Sequence, residues 1–171
     1  MKKDEIKIYT DGAARGNPGR AGWAAVVMFH NDKSKVESSK VHKVVEIGGR
    51  AEHATNNQME LTAPIKALKY VKDNMSKAGF DIEIISDSKY VILGMTQWIA
   101  SWQKNNWRNA NKKPVLNREL WEELYSLAKE LKPKWTYVKG HNEHEHNDRA
   151  DLIATSFAEG EPVKLRNHNA R

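Results

Sequence analysis

Two acidic side chains at the ends of apolar stretches could together bind a cation. Asp11 follows residues 6–10 and Asp87 follows residues 82–86, and both stretches are typical of short β-strands. Adjacent parallel strands would bring the two carboxylates to the carboxyl edge of a sheet, where open α/β folds bind ligands. Two like charges there are costly unless a cation lies between them. The alternative for either residue alone is that it starts a turn or caps a helix.

Further acidic residues lie on predicted helices. Asp148 and Asp151 are three residues apart in the last helix, so both should project from one face, beside its apolar stripe. Glu60 lies in the first turns of an earlier helix. Carboxylate oxygens are hard ligands and the chain has no cysteine. The set therefore favours Mg²⁺ or Mn²⁺ over zinc.

A group of histidines before and within the last helix offers zinc as an alternative. Its members are His141, His144 and His146, with Glu145 between them. Successive histidines are two or three residues apart and lack the i, i+4 spacing of a helical zinc pair. We therefore disfavour zinc.

The elements that must position the acids follow from the hydropathy pattern. Strands are predicted at about 6–10, 22–29, 41–47, 82–86 and 135–139, and helical stretches at about 55–74, 91–102, 117–131 and 144–157. Pro64 should kink the first helix, and Asn117 should cap the third. With right-handed crossovers, the order βββαβααβα gives an α/β fold. We expect a mixed five-stranded sheet, three antiparallel strands then two parallel, with helices on both faces.

Length and charge limit the class of protein. The 171 residues fit one compact domain, and Lys plus Arg (28) exceed Asp plus Glu (22), for a net charge of +6. The excess is local, because residues 88–118 contain no Asp or Glu but three of the six tryptophans. Such a surplus points to a polyanionic partner, although a merely solvated face is the alternative. Without an apolar run for a membrane span or a secretory signal, we expect a cytoplasmic protein.

Five motifs, in order along the chain, resemble those of type 1 ribonuclease H. They are residues 9–12 with 16–19 (YTDG and GNPG), 55–60 (TNNQME), 86–88 (SDS), a basic protrusion at about 96–117, and 140–141 with 147–151 (GH and NDRAD). The match extends from about residue 6 to 158. Each motif alone is weak, but their common order identifies the chain as a member of that family, and the resemblance implies a ribonuclease H-like fold.

The resemblance implies an endonuclease that hydrolyses the RNA strand of RNA–DNA hybrids, leaving 5′-phosphate and 3′-hydroxyl ends. By motif position, the metal-binding carboxylates correspond to Asp11, Glu60, Asp87 and Asp151. Two Mg²⁺ ions are expected there, with Mn²⁺ as a possible substitute. His141 matches a histidine thought to help proton transfer or product release, and the alternative is a surface histidine. Asp148 occupies the position of an auxiliary acid.

The resemblance also implies contacts with the hybrid. Asn17, Asn56 and Asn57 match positions that contact the minor groove, where the 2′-hydroxyls of RNA are exposed. Thr55 and Asn117 match a pocket that holds a phosphate of the DNA strand.

Aromatic and basic residues complete the expected interface. Trp98 and Trp102 match aromatics that pack near deoxyribose, although their helical spacing suits core packing equally well. Lys89 stands where some relatives carry Gln, so a minor-groove contact would become ionic there. The other expected contacts are Lys104, Trp107, Arg108, Lys112 and Lys113.

Several alternatives share this fold or part of this chemistry. Integrases, transposases and resolvases use it with clustered acids. A non-catalytic hybrid-binding module and the ribonuclease H domain of a reverse transcriptase are further alternatives. We expect a free-standing monomer without an obligate protein partner. Residues 1–158 should form one catalytic domain, and residues 159–171 a flexible tail.

Overall fold

The computed structural model describes residues 4–31, 40–75, 79–140 and 144–169. Within these residues, six strands form one mixed sheet in the order β5-β4-β1-β2-β3-β6. The first three strands form an antiparallel meander, and β4 and β5 run parallel to β1. The strands are β1 (Asp4–Arg15), β2 (Gly19–Asn31), β3 (Lys40–Ala54), β4 (Phe80–Ser86), β5 (Lys134–Tyr137) and β6 (Asn167–Asn169).

Helices cover both faces of the sheet, as the sequence predicts. Helices α1 and α4 pack on one face and α5 on the other. A π-helical turn (Gly94–Trp98) separates α2 from α3. The helices are α1 (Asn56–Asn74), α2 (Lys89–Leu93), α3 (Ile99–Lys104), α4 (Arg118–Leu131) and α5 (Glu145–Glu159). None of these described helices is long and apolar enough to cross a membrane.

Alternation along β1 sets which face each side chain meets. Ile6 and Ile8 are fully buried in the core beneath α1 and α4. Tyr9 packs instead into the smaller core beneath α5. Because side chains alternate along a strand, Asp11 lies on the same face as Tyr9 and α5. The strand thereby directs an acid toward the helix that carries Asp151.

The sheet has six strands, so the expected count of five was wrong. β6 pairs with β3 in an antiparallel register of only three residues, which matches Val44 with His168. Its sequence, Asn-His-Asn, has no apolar alternation, and a pattern of burial could not reveal it. The α/β class and the arrangement of the first five strands are confirmed.

The first strand is longer than expected. It was expected to end at Asp11, but pairing with β2 continues to Arg15, opposite Arg20. Gly12 allows this path, because a Cβ there would lie 2.4 Å from the backbone nitrogen of Glu60. The missing side chain lets β1 approach the start of α1 closely.

Helix α1 begins as predicted and runs through its proline. The side chain of Thr55 accepts a hydrogen bond from the N–H of Gln58, and the Gln58 side chain accepts one from the N–H of Thr55. This reciprocal pair is the expected capping box. Pro64 is buried within the continuous helix.

The segment after α5, expected to fray, is held by a buried ion pair. Glu46 on β3 has a side chain only 1% exposed, and two nitrogens of Arg149 donate to its carboxylate at 2.7 and 2.9 Å. Arg149 also donates to the carbonyl of Lys164 at 3.0 Å. The Arg166 N–H donates to the Glu46 carboxylate, and the Glu46 N–H donates to the Arg166 carbonyl. Charged hydrogen bonds therefore hold this segment, together with the packing of Val163 and Leu165 against the core beneath α5.

Removing the cation should destabilise the fold in a pH-dependent manner. Burial alone would raise the Glu46 pKa, but the hydrogen bonds from Arg149 and Arg166 outweigh it and lower the pKa. Arg149→Met should cost about 3–5 kcal/mol of unfolding free energy near neutral pH, because a buried charge loses its partner. Since a lowered pKa stabilises only while Glu46 is ionised, the cost should shrink as pH falls through the carboxyl range. Urea unfolding at several pH values measures this.

The double variant Glu46→Met/Arg149→Met is the matched control. It removes both charges, so it should recover most of the stability lost in Arg149→Met. A single variant as stable as the parent, or a cost that grows on acidification, would contradict the role assigned to this pair.

Candidate active site

The two strand-end acids lie on neighbouring parallel strands. The register of β1 and β4 pairs Thr10 with Ser86. Asp11 and Asp87 directly follow these two residues in the sequence. Asp11 is 7% exposed, and its Oδ1 accepts a hydrogen bond from the Gly12 N–H at 2.9 Å. The sequence-based expectation that β1 and β4 bring these acids to one edge therefore agrees with the strand register.

Electrostatics couple Asp11 to two other acids. The pKa of the Asp11 carboxyl is raised to about 9, chiefly by burial and then by the negative charge of Asp87. A hydrogen bond from Gly12 opposes the shift, whereas the charge of Asp151 and a hydrogen bond with its side chain add to it. Three carboxyl groups from β1, the end of β4 and α5 therefore share one small region. Burial and the neighbouring charges therefore disfavour the ionised form of Asp11 in the absence of a cation.

Glu60 on α1 borders the same region. Burial is the largest cause that raises the pKa of its carboxyl, a hydrogen bond from Ser88 lowers it, and the charge of Asp87 raises it. The Ser88 hydroxyl donates to Glu60 Oε2 at 2.6 Å while its oxygen accepts from the Val91 N–H at the start of α2. Ser88 thus links the Glu60 carboxylate to the turn that follows Asp87.

The donor set suits a hard divalent cation. All four predicted ligands are carboxylates. Asp11 is buried and Glu60 is half-buried, so a cation between the acids would relieve their repulsion. In the part of the chain that the structure describes, no three His, Asp or Glu side chains already converge on one point.

The two acids of helix α5 differ in exposure. Asp151 is half-buried, whereas Asp148 is exposed. The position one turn before Asp151 belongs to Asn147, which is 2% exposed and whose Nδ2 lies 3.4 Å from Asp87 Oδ2. The spacing of four residues between Asn147 and Asp151 could have revealed this from the sequence, but the sequence analysis considered only the acidic pair Asp148 and Asp151.

The histidines divide among different surroundings. His141 lies outside the described residues. His144 is exposed, and the ring of His146 lies 5.2 Å from that of Tyr9 on β1. These contacts give His146 a packing role against the sheet.

An aromatic cluster supports the protrusion. Trp102 lies centrally, with ring centroids 5.8 Å from Trp98, 6.2 Å from Trp107 and 5.2 Å from Trp121. Trp107 is 8% exposed, which favours packing over contact with a ligand, whereas Trp98 and Trp102 are half-buried. The cluster anchors the protrusion on α4.

The basic side chains of the protrusion face outward. Arg108 donates to the backbone carbonyl of Lys112 at 2.9 Å, and the Asn109 side chain accepts two backbone N–H groups at 2.9 and 3.0 Å. These bonds shape a compact loop. The exposed cations on it and beside it are Lys104, Arg108, Lys112 and Lys113.

Asn117 does not cap α4 with its side chain. It takes a left-handed conformation (φ 59°), and its Nδ2 donates to the Tyr90 hydroxyl oxygen at 3.1 Å. The buried Trp121 donates to the same oxygen at 3.1 Å. Asn117 therefore occupies the predicted cap position, with its carbonyl accepting from the Trp121 N–H, but its side chain makes no cap hydrogen bond. Tyr90, which the sequence analysis missed, therefore joins the protrusion to α4.

The expected groove contacts lie together on one edge. Asn17 in the β1–β2 turn accepts a hydrogen bond from the Asn56 N–H at 3.1 Å, and Asn17, Asn56 and Asn57 are all exposed. Thr55 adjoins them but is half-buried by its capping role. Lys89 is exposed, with its Nζ 5.8 Å from the ring centroid of Tyr137.

The sheet order, the helices on both faces and the acids at the β1–β4 edge define a ribonuclease H-like α/β protein. Residues 3–159 match the model of the family described as RNase H. The chain belongs to this family, whose members generally use divalent metal ions such as Mg²⁺. It is 42% identical over 154 residues to Ribonuclease H of Wolbachia sp. subsp. Drosophila simulans, covering 90% of this chain and 95% of that protein.

Solved structures show the same likeness. LC9-RNase H1, a type 1 RNase H with the type 2 active-site motif, gives a TM-score of 0.81 at 22% identity, over 99% of this chain and 78% of that one. LC11-RNase H1, solved in complex with an RNA/DNA hybrid, gives 0.62 at 27% identity, over 91% and 97%. The first supports the fold alone.

Neutralising Asp11 should stabilise the metal-free protein. Because the folded state raises the Asp11 pKa, it binds that proton more tightly than the unfolded chain, and stability falls as pH rises from the ordinary Asp range toward 9. Asp11→Asn removes this penalty. Relief of even about 1 kcal/mol would raise Tm by about 2–4 °C for a chain of this size. Calorimetry with EDTA measures the effect.

The difference in Tm between Asp11→Asn and the parent should widen from pH 5 to pH 8. The exposed Asp81 on β4 supplies the control, and Asp81→Asn should leave Tm nearly unchanged. A destabilised Asp11→Asn, or a gap that does not change with pH, would count against a strained buried acid.

Proposed function

We infer that this protein is an endoribonuclease that hydrolyses the RNA strand of RNA–DNA hybrids, leaving 5′-phosphate and 3′-hydroxyl ends. The observation that carries this proposal is the register of β1 and β4, which brings Asp87 and the buried Asp11 to one edge, where burial and the charges of Asp87 and Asp151 raise the pKa of Asp11. Such repulsion destabilises the empty site, and a bound cation would relieve it. Membership of the RNase H family and the hybrid bound by LC11-RNase H1 support the choice of substrate.

Four carboxylates are proposed to hold two Mg²⁺ ions, with Mn²⁺ as a substitute: Asp11, Glu60, Asp87 and Asp151. When bound, such ions activate water and stabilise the charge of an in-line displacement. The protein's own part is to keep the acids in place: Gly12 admits β1 to the start of α1, and Ser88 orients Glu60. His141 is proposed to assist proton transfer or product release, and Asp148 to act as an auxiliary acid.

Recognition of the hybrid is proposed to use both sides of the acidic edge. The exposed amides of Asn17, Asn56 and Asn57 are small polar groups suited to a shallow minor groove. The hydroxyl oxygen of Thr55 accepts a hydrogen bond from the Gln58 N–H, but the hydroxyl proton is donated to none of the described residues. That proton is available to a phosphate oxygen of the DNA strand.

The protrusion is proposed to hold the DNA strand. Asn117 retains a second amide hydrogen for a phosphate, because only one is needed for Tyr90. Trp98 and Trp102 offer partly exposed ring surface for deoxyribose, and Lys89 offers a charge near the acidic edge. Trp107 would act through its packing beneath the protrusion. We further propose that the protein is a monomer that acts in the cytoplasm without an obligate protein partner. The support for this proposal comes from the sequence.

The activity should depend on both metal and acid. With MgCl₂ the protein should cut the RNA strand of a labelled hybrid, and excess EDTA should stop it. Asp87→Asn should lower the rate more than about 100-fold, which corresponds to about 2.7 kcal/mol of barrier. Cleavage gels of hybrid, double-stranded RNA and double-stranded DNA measure both effects.

Asp81→Asn is the control for this experiment, because Asp81 is exposed near the start of β4, at the opposite end of the strand from Asp87. It should cleave as the parent does. Cleavage of DNA duplexes in preference to hybrids would overturn the substrate assignment, and a fully active Asp87→Asn would overturn the role of that carboxylate.

The protrusion should supply salt-sensitive affinity. Replacing Lys104, Arg108, Lys112 and Lys113 with Ala removes up to four phosphate contacts, and each contributes roughly −0.9 to the slope of log K against log salt. The slope should flatten by about 2–4 units. KM should rise with kcat nearly unchanged, because binding is lost equally in the ground and transition states. Binding titrations and kinetics between 50 and 200 mM KCl measure this.

An equal charge change elsewhere is the matched control. Lys66, Lys129, Lys132 and Lys164 are exposed and lie outside the protrusion. Their joint replacement by Ala should leave most of the salt slope intact. If both quadruple variants flatten the slope equally, net charge rather than the protrusion determines affinity.

A further inference from the structure

A buried amide faces the acidic edge from α5. Asn147 lies in the first turn of that helix and is 2% exposed, one of few buried polar side chains among the described residues. It lies four residues before Asp151, so both side chains project from the same face of the helix. Its neighbour Asp148 is exposed. The helix therefore places a buried amide beside the expected ligands.

The two ends of this amide are used differently. Its Nδ2 lies 3.4 Å from Asp87 Oδ2, at the long end of hydrogen-bond distance. Its Oδ1 is buried and has no hydrogen-bond partner among the described residues. A buried acceptor without a hydrogen-bond donor is unfavourable, because its lost hydration is not replaced. The reversed amide would be worse, because it would direct the oxygen at a carboxylate.

Asp87 has little room to move away from Asn147. A Cβ at Gly140 would lie 2.9 Å from Asp87 Oδ2, so that carboxylate fits between the β5–α5 connection and α5. Asn109 offers a contrast within the same protein. Its side-chain oxygen accepts two backbone N–H groups and shapes a loop. A purely structural asparagine uses its acceptor in this way, whereas the acceptor of Asn147 has no such partner in the described part of the chain.

We propose that Asn147 is a positioning residue, which holds Asp87 through Nδ2 and accepts through Oδ1 a hydrogen bond from water in the metal-loaded site. The inference rests on the proposed function, because it assigns the unused acceptor to that site's water. A polar atom with a hydrogen-bond donor only in the loaded state contributes to loading and not to the empty fold. Removal of such outer contacts typically weakens metal affinity or activity about 10–100-fold.

The test separates loading from folding by measuring Tm with and without MgCl₂, in the absence of nucleic acid. In Asn147→Ala, the Tm increase caused by MgCl₂ should shrink, and the Mg²⁺ Kd from calorimetric titration should rise about 10-fold or more. Hybrid cleavage at saturating MgCl₂ should lose kcat by about 10-fold or more while KM for the hybrid stays near the parent value. Asn147→Leu, closer in volume, repeats the comparison if the smaller variant does not fold.

Glu145→Gln is the matched control, because Glu145 is exposed in the same first turn. It should keep the parent's response to MgCl₂. An Asn147 variant that loses equal stability with and without MgCl₂, and binds Mg²⁺ as the parent does, would overturn the proposal and leave a structural residue. A parent that neither responds to MgCl₂ nor cleaves hybrid would instead overturn the proposed function.

Discussion

Repulsion between carboxylates held in a poorly solvated edge is the constraint on which this structure depends. Burial and the charges of Asp87 and Asp151 raise the pKa of Asp11 far above its ordinary range. A chain free to relax would separate these groups. Two features prevent it: the parallel register of β1 and β4, and the close approach at Gly12, where a Cβ would lie 2.4 Å from the Glu60 nitrogen. The sheet thus works against its own electrostatics at one edge.

Helix α5, which carries one of these acids, also carries a stabilising charge contact. α5 carries Asp151 toward the acids and Arg149 toward the buried Glu46, so one helix carries an unfavourable and a favourable charge contact. The favourable contact also orders the segment that follows the helix. On the other face, the aromatic cluster around Trp102 and Trp121 fixes the protrusion. Packing, rather than charge, determines where the exposed cations stand.

Periodicity and motif order predicted the elements that contribute broad burial, namely β1–β5, the capping box at Thr55 and helices on both faces. They failed where a single distant contact decides the local structure. Asn117 adopts a left-handed conformation, and its amide donates to Tyr90, 27 positions away in the sequence. β6 is polar, and the Arg166–Glu46 bond beside it joins residues 120 positions apart. Asn147 was missed because its role depends on burial beside Asp87, which composition does not encode.

The short last strand also changes what the sheet exposes to other molecules. β3 is the outer strand of the meander, and β6 pairs with it opposite Lys43, Val44 and Val45. An uncovered strand edge offers free N–H and C=O groups to the edges of neighbouring molecules and invites aggregation. Here the Arg149–Glu46 ion pair holds the residues that precede β6, so three polar residues cover the edge of β3 at those three positions. A charge pair within one molecule therefore limits strand addition from the next.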